Sequence, residues 1–237
     1  ELARVIASID GDHAISVWLR RVVASVIDRN RLIAASGTRA FGELSREIYG
    51  SATSTFFGLS VRNVDLADHL TERLQVHGWD ETADAEREPM DAEALKAELD
   101  ARIARHRPSI KIDVVVDEKC ASKAIAGMSR VRVRADATFL PWEAAGLFVH
   151  EVETHAFTAR NGAEQRHAPF LKAGGPRSTP TQEGLAVFAE LYDRSLASSR
   201  LSRLATRVKL VAMAEDGASF LDLYRALLER GAAPRDA

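Results

Sequence analysis

The stretch PWEAAGLFVHEVETHAFTAR, residues 141–160, decides how the rest of the sequence is interpreted. Pro141 at its start and the apolar spacing that follows predict a helix, which carries His150, Glu151 and His155. Neutral imidazoles are common zinc ligands, and a carboxylate beside the metal can take a proton from water that the metal activates. The segment therefore predicts a hydrolytic zinc site on a helix, with Glu151 as general acid and base.

The spacing of the two histidines conflicts with a regular α-helix. Side chains four positions apart lie about 40° from each other around a helix axis, whereas side chains five positions apart lie about 140° from each other. His150 and His155 are five apart, so they can share one metal ion only if the helix is widened between them. A one-residue π-bulge provides that widening, and such bulges tend to occur at functional sites. We therefore predict a π-bulge between the two histidines.

A third protein ligand is expected, because catalytic zinc usually has three protein ligands and a water molecule in the fourth position. The best candidate is Glu183, which lies in the first turn of a helix that begins near Pro180. Thr179 and Gln182 have the spacing of a capping box, which would fix the helix start and the direction of the Glu183 carboxylate. We expect the apolar side of this helix to face the core through Leu185, Val187, Phe188 and Leu191.

Glu190 lies on the same helix, two turns after Glu183. Its carboxylate can accept a hydrogen bond from the free ring nitrogen of a ligand histidine, as such partners do in many zinc sites. An exposed helical carboxylate is an equally good interpretation. The sequence leaves both open.

The remaining sequence predicts two parts, residues 1–107 and 108–237. The first has apolar residues at helical spacing and predicts a helical N-terminal part. In the second, alternation at residues 110–116 and 131–135 predicts two strands, and the helices described above and two more follow. We expect the second part to be catalytic and to form one compact unit with the N-terminal helices.

The composition excludes several classes of protein. A formal net charge of −2, from 32 basic and 34 acidic residues, predicts no nucleic-acid partner and no attraction to an anionic membrane. The sequence has no apolar run of about 18 residues, and residues 1–10 lack the layout of a secretion signal, so we expect a cytoplasmic protein. The single cysteine, Cys120, excludes an internal disulfide.

Several of these residues resemble a known family. They are the His150–His155 pattern, Asn161-Gly162, Gln165 and the segment PTQEGLA at residues 180–186. Together they look like the bacterial proteins named for a Gln-Glu-Gly-Leu-Ala motif, also called flavohemoglobin expression-modulating, and like the microtubule-associated tyrosine carboxypeptidases of eukaryotes. Tyr49-Gly50 resembles a Tyr-Gly step in the helical N-terminal half of that family.

The resemblance implies that His150, His155 and Glu183 are zinc ligands and that Glu151 is the catalytic acid and base. The stretched histidine spacing is also similar to that of dipeptidyl peptidase III. With the predicted elements, we expect an α+β fold that is mostly helical and has a zincin-like metallopeptidase core. In that core a small β-sheet lies next to the metal-binding helix, and a second helix brings the third ligand.

The favoured function is a zinc metallocarboxypeptidase acting on peptide or protein C-termini, a specificity that the eukaryotic relatives imply. Such an enzyme needs a fixed cation for the substrate carboxylate. The sequence does not choose among the cations near or between the ligand segments, which are Arg160, Arg166, Lys172 and Arg177, or Arg132 and Arg134 of the second strand. Asn161 and Gln165 are further candidate substrate contacts. Residues 130–136 would suit an extended substrate if they form a sheet edge.

Two other functions stay open. One is a zinc endopeptidase or aminopeptidase, in which Glu153 or Glu164 would bind a substrate amine. The other is a regulatory metal-binding protein without catalysis, which the name of the bacterial proteins suggests. The near-neutral charge argues against direct binding of DNA.

Overall fold

The computed structural model describes residues 1–55, 59–77, 88–106, 108–109 and 111–230. Its α-helices are α1 (Leu2–Ala7), α2 (Ala14–Ala34), α3 (Arg39–Tyr49), α4 (Asn63–His77), α5 (Ala92–His106), α6 (Pro141–Leu147), α7 (Phe157–Ala163), α8 (Thr179–Tyr192), α9 (Ser198–Glu215) and α10 (Phe220–Glu229). The strands are β1 (Asp113–Asp117), β2 (Ala124–Ala126) and β3 (Arg130–Arg134). A π-helix spans Phe148–Ala156 and a 3-10 helix spans Pro169–Lys172. Within these described ranges, none of the helices has both the length and the hydrophobicity that crossing a bilayer requires.

The fold is α+β and mostly helical, as the sequence predicts. The chain divides into two compact units, one of Glu1–Trp79 with Ser198–Ala237 and the other of Asp80–Ala197. This division differs from the predicted boundary between residues 107 and 108, where residue 107 lies outside the described residues. Helix α5 belongs to the second unit because it packs on the sheet, whereas α9 and α10 belong to the first because α9 packs along α4.

The first unit joins the helices of both chain ends. Lys209 of α9 forms an ion pair with Asp68 of α4 at 2.7 Å. The Glu215 carboxylate at the end of α9 accepts hydrogen bonds from the Ser51 hydroxyl at 2.6 Å and from the backbone N–H of Ala52 at 3.2 Å. These bonds fix the turn that follows α3. Gly50, in the Tyr-Gly step, has a φ of 88° there, a conformation that favours glycine.

The second unit is built on a three-stranded sheet with the order β1-β3-β2. Strand β3 lies in the centre, parallel to β1 and antiparallel to β2. The two predicted strands are confirmed at β1 and β3, but β2 was missed because three residues are too few to show alternation. Residues 130–136 would suit an extended substrate only as a sheet edge, and they contain the central strand β3, so this condition is not met. The edge beside the π-helix is β2.

The core of the second unit lies between the sheet, α5 and the long helix that follows the sheet. Leu95 and Leu99 of α5 are fully buried with Val131 and Val133 of β3. Helix α6, the π-helix and α7 run without interruption and bury Phe148, Val152 and Ala156 on the same core. The helix segment that carries both histidines is therefore anchored in the hydrophobic core of the unit.

The predicted ends of two helices are corrected. Asn161 and Gly162 do not cap a helix; both lie inside α7, which continues to Ala163. In α8 the N-cap is Ser178, and the Thr179–Gln182 capping box is not formed. The Thr179 hydroxyl instead donates to the Gly175 carbonyl at 3.0 Å.

The core-facing side of α8 also differs from the prediction. Leu185, Phe188 and Leu191 were expected to face the core, but each is more than half exposed. The buried residues of α8 are Ala186 and Glu190, three and seven positions after Glu183. Residues at that spacing share one helix face, so the face of α8 that packs on the π-helix is the one that carries carboxylates.

We predict that Leu99→Ala lowers the free energy of unfolding by about 2–5 kcal/mol, because it removes a fully buried side chain from the core. Leu185→Ala makes the same chemical change on an exposed helix face of the same unit, and we expect it to cost less than about 1 kcal/mol. Denaturant unfolding measures both. Equal losses for the two variants would contradict this description of the core.

Candidate metal centre

The turn that carries the two histidines is a π-helix, as predicted from their spacing. A π-helix forms hydrogen bonds between residues five apart, which brings side chains at that spacing onto one face. The rings of His150 and His155 lie edge to face with centroids 5.1 Å apart. Thr154, buried in the same turn, donates its hydroxyl hydrogen to the Val149 carbonyl at 2.8 Å. The widened turn therefore places both imidazoles side by side.

Glu183 completes a cluster with the two histidines. One carboxylate oxygen lies 3.6 Å from Nε2 of His150, and the other lies 3.5 Å from Nε2 of His155. One ligand atom from each of the three residues lies within 4.8 Å of the other two. The π-helix and the beginning of α8 therefore bring together three groups that could hold a metal ion, as the sequence predicts, although Glu183 follows the first turn of α8 instead of lying in it.

The other ring nitrogen of each histidine faces an oxygen of α8. Nδ1 of His150 lies 2.6 Å from Oε1 of Glu190, and Nδ1 of His155 lies 3.2 Å from Oε1 of Gln182. Glu190 is only 1% exposed, so it is not the exposed helical carboxylate that the sequence also allowed. An acceptor at Nδ1 favours the proton there and leaves the Nε2 lone pair directed at Glu183.

Gln182 is a site residue that the sequence analysis missed. Its position three residues after Thr179 indicated a capping role, yet its side chain is the partner of His155. Its place directly before Glu183, in the first turn of α8, was the available signal.

Glu151 lies between the histidines and the sheet. One of its carboxylate oxygens accepts a hydrogen bond of 2.9 Å from the backbone N–H of Ala126 in the edge strand β2. Burial raises the pKa of the Glu151 carboxyl above its ordinary value, although His150 and His155 oppose that shift. A carboxylate whose conjugate acid has a raised pKa accepts a proton more readily than one with the ordinary pKa.

A cleft of about 450 Å³ opens over these residues. Its lining comprises residues 122 and 124–128 around β2, His150, Glu151, His155, Thr158 and Ala159 of the long helix, Leu171, Lys172 and Gly174 of the connecting loop, and Gln182 and Glu183 of α8. The edge strand and the three-residue cluster thus lie along one cavity, of a size typical of small-ligand pockets.

A family model described as microtubule-associated tyrosine carboxypeptidase matches residues 1–237, the whole chain. The chain belongs to this family. Membership implies a peptidase of the carboxypeptidase type, which acts on a protein C-terminus, and it confirms the resemblance seen in the sequence. No curated protein matches the chain, and no solved structure matches it.

The predicted substrate residues of this microtubule-associated tyrosine carboxypeptidase family member are mostly outside the cleft. Among the described residues that line it, none of the following appears: Arg160, Asn161, Gln165, Arg166, Arg177, Arg132, Arg134, Glu153 and Glu164. Arg160 forms an ion pair with Glu164 at 2.8 Å, and the Gln165 amide donates to the Asn161 carbonyl at 3.0 Å. Lys172 is the predicted cation that does line the cleft.

Gly162 determines how closely the cleft wall approaches α7. A Cβ atom at this position would lie 2.4 Å from the backbone C of Leu171 and 2.4 Å from the backbone N of Lys172. Carbon atoms do not approach that closely without displacement, so only glycine lets the 3-10 helix pack directly on α7. This long-range contact explains why a glycine occupies this position inside the helix.

We predict that Gly162→Ala lowers the free energy of unfolding by about 1–3 kcal/mol, because the new methyl group overlaps the backbone of the 3-10 helix. Gly184→Ala is the matched control in α8, where a Cβ atom meets nothing within 4 Å. We expect it to raise stability by up to about 1 kcal/mol, since alanine favours a helix. Thermal or denaturant unfolding that finds the reverse order would contradict the close packing at Gly162.

Proposed function

We propose that the chain is a zinc-dependent metallocarboxypeptidase with a zincin-like core. His150, His155 and Glu183 would hold the metal, and Glu151 would transfer protons. The observation that carries the proposal is the convergence of two imidazole nitrogens on the two oxygens of one carboxylate, at 3.5 and 3.6 Å.

The donor atoms suit a zinc ion in chemistry and lie near the distances that it requires. Ligands about 2.0–2.2 Å from zinc in tetrahedral geometry are about 3.4 Å apart. Each imidazole Nε2 lies 3.5 or 3.6 Å from one of the two Glu183 oxygens, and one ligand atom from each residue lies within 4.8 Å of the other two. Two histidines and one glutamate are also a ligand set of known catalytic zinc sites, which leave the fourth position open. The cleft on which the three residues lie would give a substrate access to that position.

The partners of the two ring Nδ1 atoms support the same assignment. Ligand histidines in zinc sites commonly donate their second ring hydrogen to a carboxylate or carbonyl oxygen, which fixes ring orientation and raises ligand basicity. Glu190 and Gln182 offer these oxygens to His150 and His155. A buried carboxylate such as Glu190 is unfavourable without a partner of this kind.

A zinc ion bound there would supply Lewis-acid activation of a water molecule and of the scissile carbonyl group. The free oxygen of Glu151 would take the proton from that water, while its other oxygen stays bonded to the Ala126 N–H. Glu151 would then deliver the proton to the nitrogen of the leaving amine, so that the proton lost by water ends on the product.

The edge strand β2 is the place for an extended peptide. One side of β2 pairs with β3, and its other side lies against the π-helix and along the cleft. Ala126 uses its backbone N–H for Glu151, so a peptide that adds to this edge would use the other main-chain groups of β2. Because the family description names tyrosine, peptides that end in tyrosine are the first substrates to test.

Mass spectrometry of a peptide library incubated with the zinc-loaded protein tests the activity. Loss of single residues from C-termini is the expected result. Internal or N-terminal cuts would instead indicate an endopeptidase or aminopeptidase, and no cleavage by a protein that binds zinc would indicate a regulatory role.

We predict that Glu151→Gln lowers the rate of hydrolysis by about 10²- to 10⁴-fold and retains the metal, because the amide cannot accept the proton. His155→Ala should lose the metal as well as the activity. Elemental analysis of each purified variant separates these two effects. Glu118→Gln, in an exposed turn, is the matched control and should behave as the parent protein. If Glu151→Gln hydrolyses peptides at the parental rate, Glu151 does not transfer the proton in catalysis.

We predict that Glu190→Ala weakens zinc binding by about 10- to 100-fold, since His150 loses the acceptor that orients its ring. Glu190→Gln keeps an oxygen acceptor and similar volume, so its loss of affinity should be smaller. Competition with a chelator measures both dissociation constants, and circular dichroism checks folding. If folded Glu190→Ala binds zinc as tightly as the parent, Glu190 does not support the site.

A further inference from the structure

The cleft is lined by two acidic side chains and by one basic side chain among the described residues. Glu151 and Glu183 are the carboxylates of its lining, and Lys172 is the one Lys or Arg among the described residues that line it. Anionic groups of a substrate would be repelled by the two carboxylates unless cations offset them. A bound metal ion accounts for one such cation, and Lys172 supplies a second at the loop side of the cleft.

The backbone around Lys172 is held in place. Lys172 ends the 3-10 helix, in which the Leu171 N–H donates to the Ala168 carbonyl at 3.0 Å, and the Ala173 N–H donates to the Phe170 carbonyl at 3.0 Å. The peptide between Leu171 and Lys172 lies directly on Gly162 of α7. The backbone of Lys172 therefore has a fixed position on the cleft wall, although the residue lies in a long loop.

Three of the five other predicted cations form ion pairs with carboxylates outside the cleft lining. Arg160 binds Glu164 at 2.8 Å, Arg132 binds Asp117 at 3.4 Å, and Arg134 binds Asp136 at 3.2 Å. Neither these three arginines nor Arg166 and Arg177 are in the cleft lining that the structure describes. The choice that the sequence left open is thus narrowed to one residue.

We infer that Lys172 binds the terminal carboxylate of the peptide substrate and so restricts cleavage to the C-terminal end. The inference rests on the proposed function and names the residue that determines its exopeptidase specificity. An ammonium group offers three donors and a full charge, which suits a carboxylate. A substrate anchored at its last residue presents only the bonds near that end to Glu151 and the metal-ligating cluster.

A binding experiment with the inactive, zinc-loaded Glu151→Gln chain tests this role without turnover. Fluorescence anisotropy compares one labelled peptide that ends in a free carboxylate with the same peptide ending in an amide. The free acid should bind more tightly. Adding Lys172→Met should weaken binding of the acid by about 10- to 100-fold, the range for a hydrogen bond to a charged group, and should remove the difference between acid and amide.

Two further variants provide controls. Lys172→Arg keeps the charge and should retain most of the preference for the acid. Lys119→Met makes the same change at an exposed lysine outside the cleft lining and should leave both affinities unchanged. Zinc content and thermal unfolding establish that Lys172→Met is folded and loaded. A folded Lys172→Met that still prefers the acid overturns the inference.

The same titrations distinguish the source of the carboxylate. Peptides in which internal Glu residues are replaced by Gln, with the terminus free or amidated, separate a terminal carboxylate from a side-chain carboxylate. If Lys172→Met affects binding only through internal Glu residues, the terminal assignment is wrong. Hydrolysis by the parent chain is measured in parallel. Absence of cleavage contradicts the proposed function, whereas normal cleavage with an unchanged acid preference in Lys172→Met contradicts only the role of Lys172.

Discussion

The widened helical turn at Phe148–Ala156 is the constraint on which the site depends. In a regular α-helix His150 and His155 would lie about 140° apart around the axis, whereas here their ring centroids are 5.1 Å apart. A π-turn is rare and tends to occur at functional sites. Phe148, Val152 and Ala156 are buried in the core and anchor this turn there. Packing of the second unit thus maintains a local geometry that helical hydrogen bonding alone would not select.

Helix α8 matches this turn with a polar face. Glu183 meets both imidazoles, and Glu190, seven positions later, meets the far nitrogen of His150. Ala186, between them on the same face and fully buried, leaves room for the two helices to pack closely. Each buried polar group at this contact thereby has a polar partner, which removes much of the penalty for burying a charge. One helix thus carries Glu183, which could hold a metal ion together with the two histidines, and the oxygens of Gln182 and Glu190 that face the far ring nitrogens of those histidines.

The sequence was sufficient to predict those features of the site that depend on the local geometry of a helix. Two histidines five positions apart can share a metal ion only on a widened turn, and the predicted π-turn is present. Glu183 was expected near them and lies 3.5 and 3.6 Å from their Nε2 atoms, although the capping box expected to direct its carboxylate is not formed. Contacts between distant residues could not be predicted in this way. Leu185 and Phe188 have the spacing of a core face, but the site occupies the side of α8 that packs inward. Gly162 follows Asn161 as a helix cap would, yet it lies inside α7, where its close contact with Leu171 leaves no room for a side chain.

X-ray absorption spectroscopy of the zinc-loaded chain tests the central claim most directly, because it reports the ligands of the metal itself. We predict nitrogen and oxygen ligands at about 2.0–2.1 Å with the multiple-scattering signal of two imidazoles, which disappears with the metal in His155→Ala. A sulfur ligand at about 2.3 Å, which Cys120 alone could supply within one chain, would contradict the account. So would a spectrum of bound zinc without imidazole scattering.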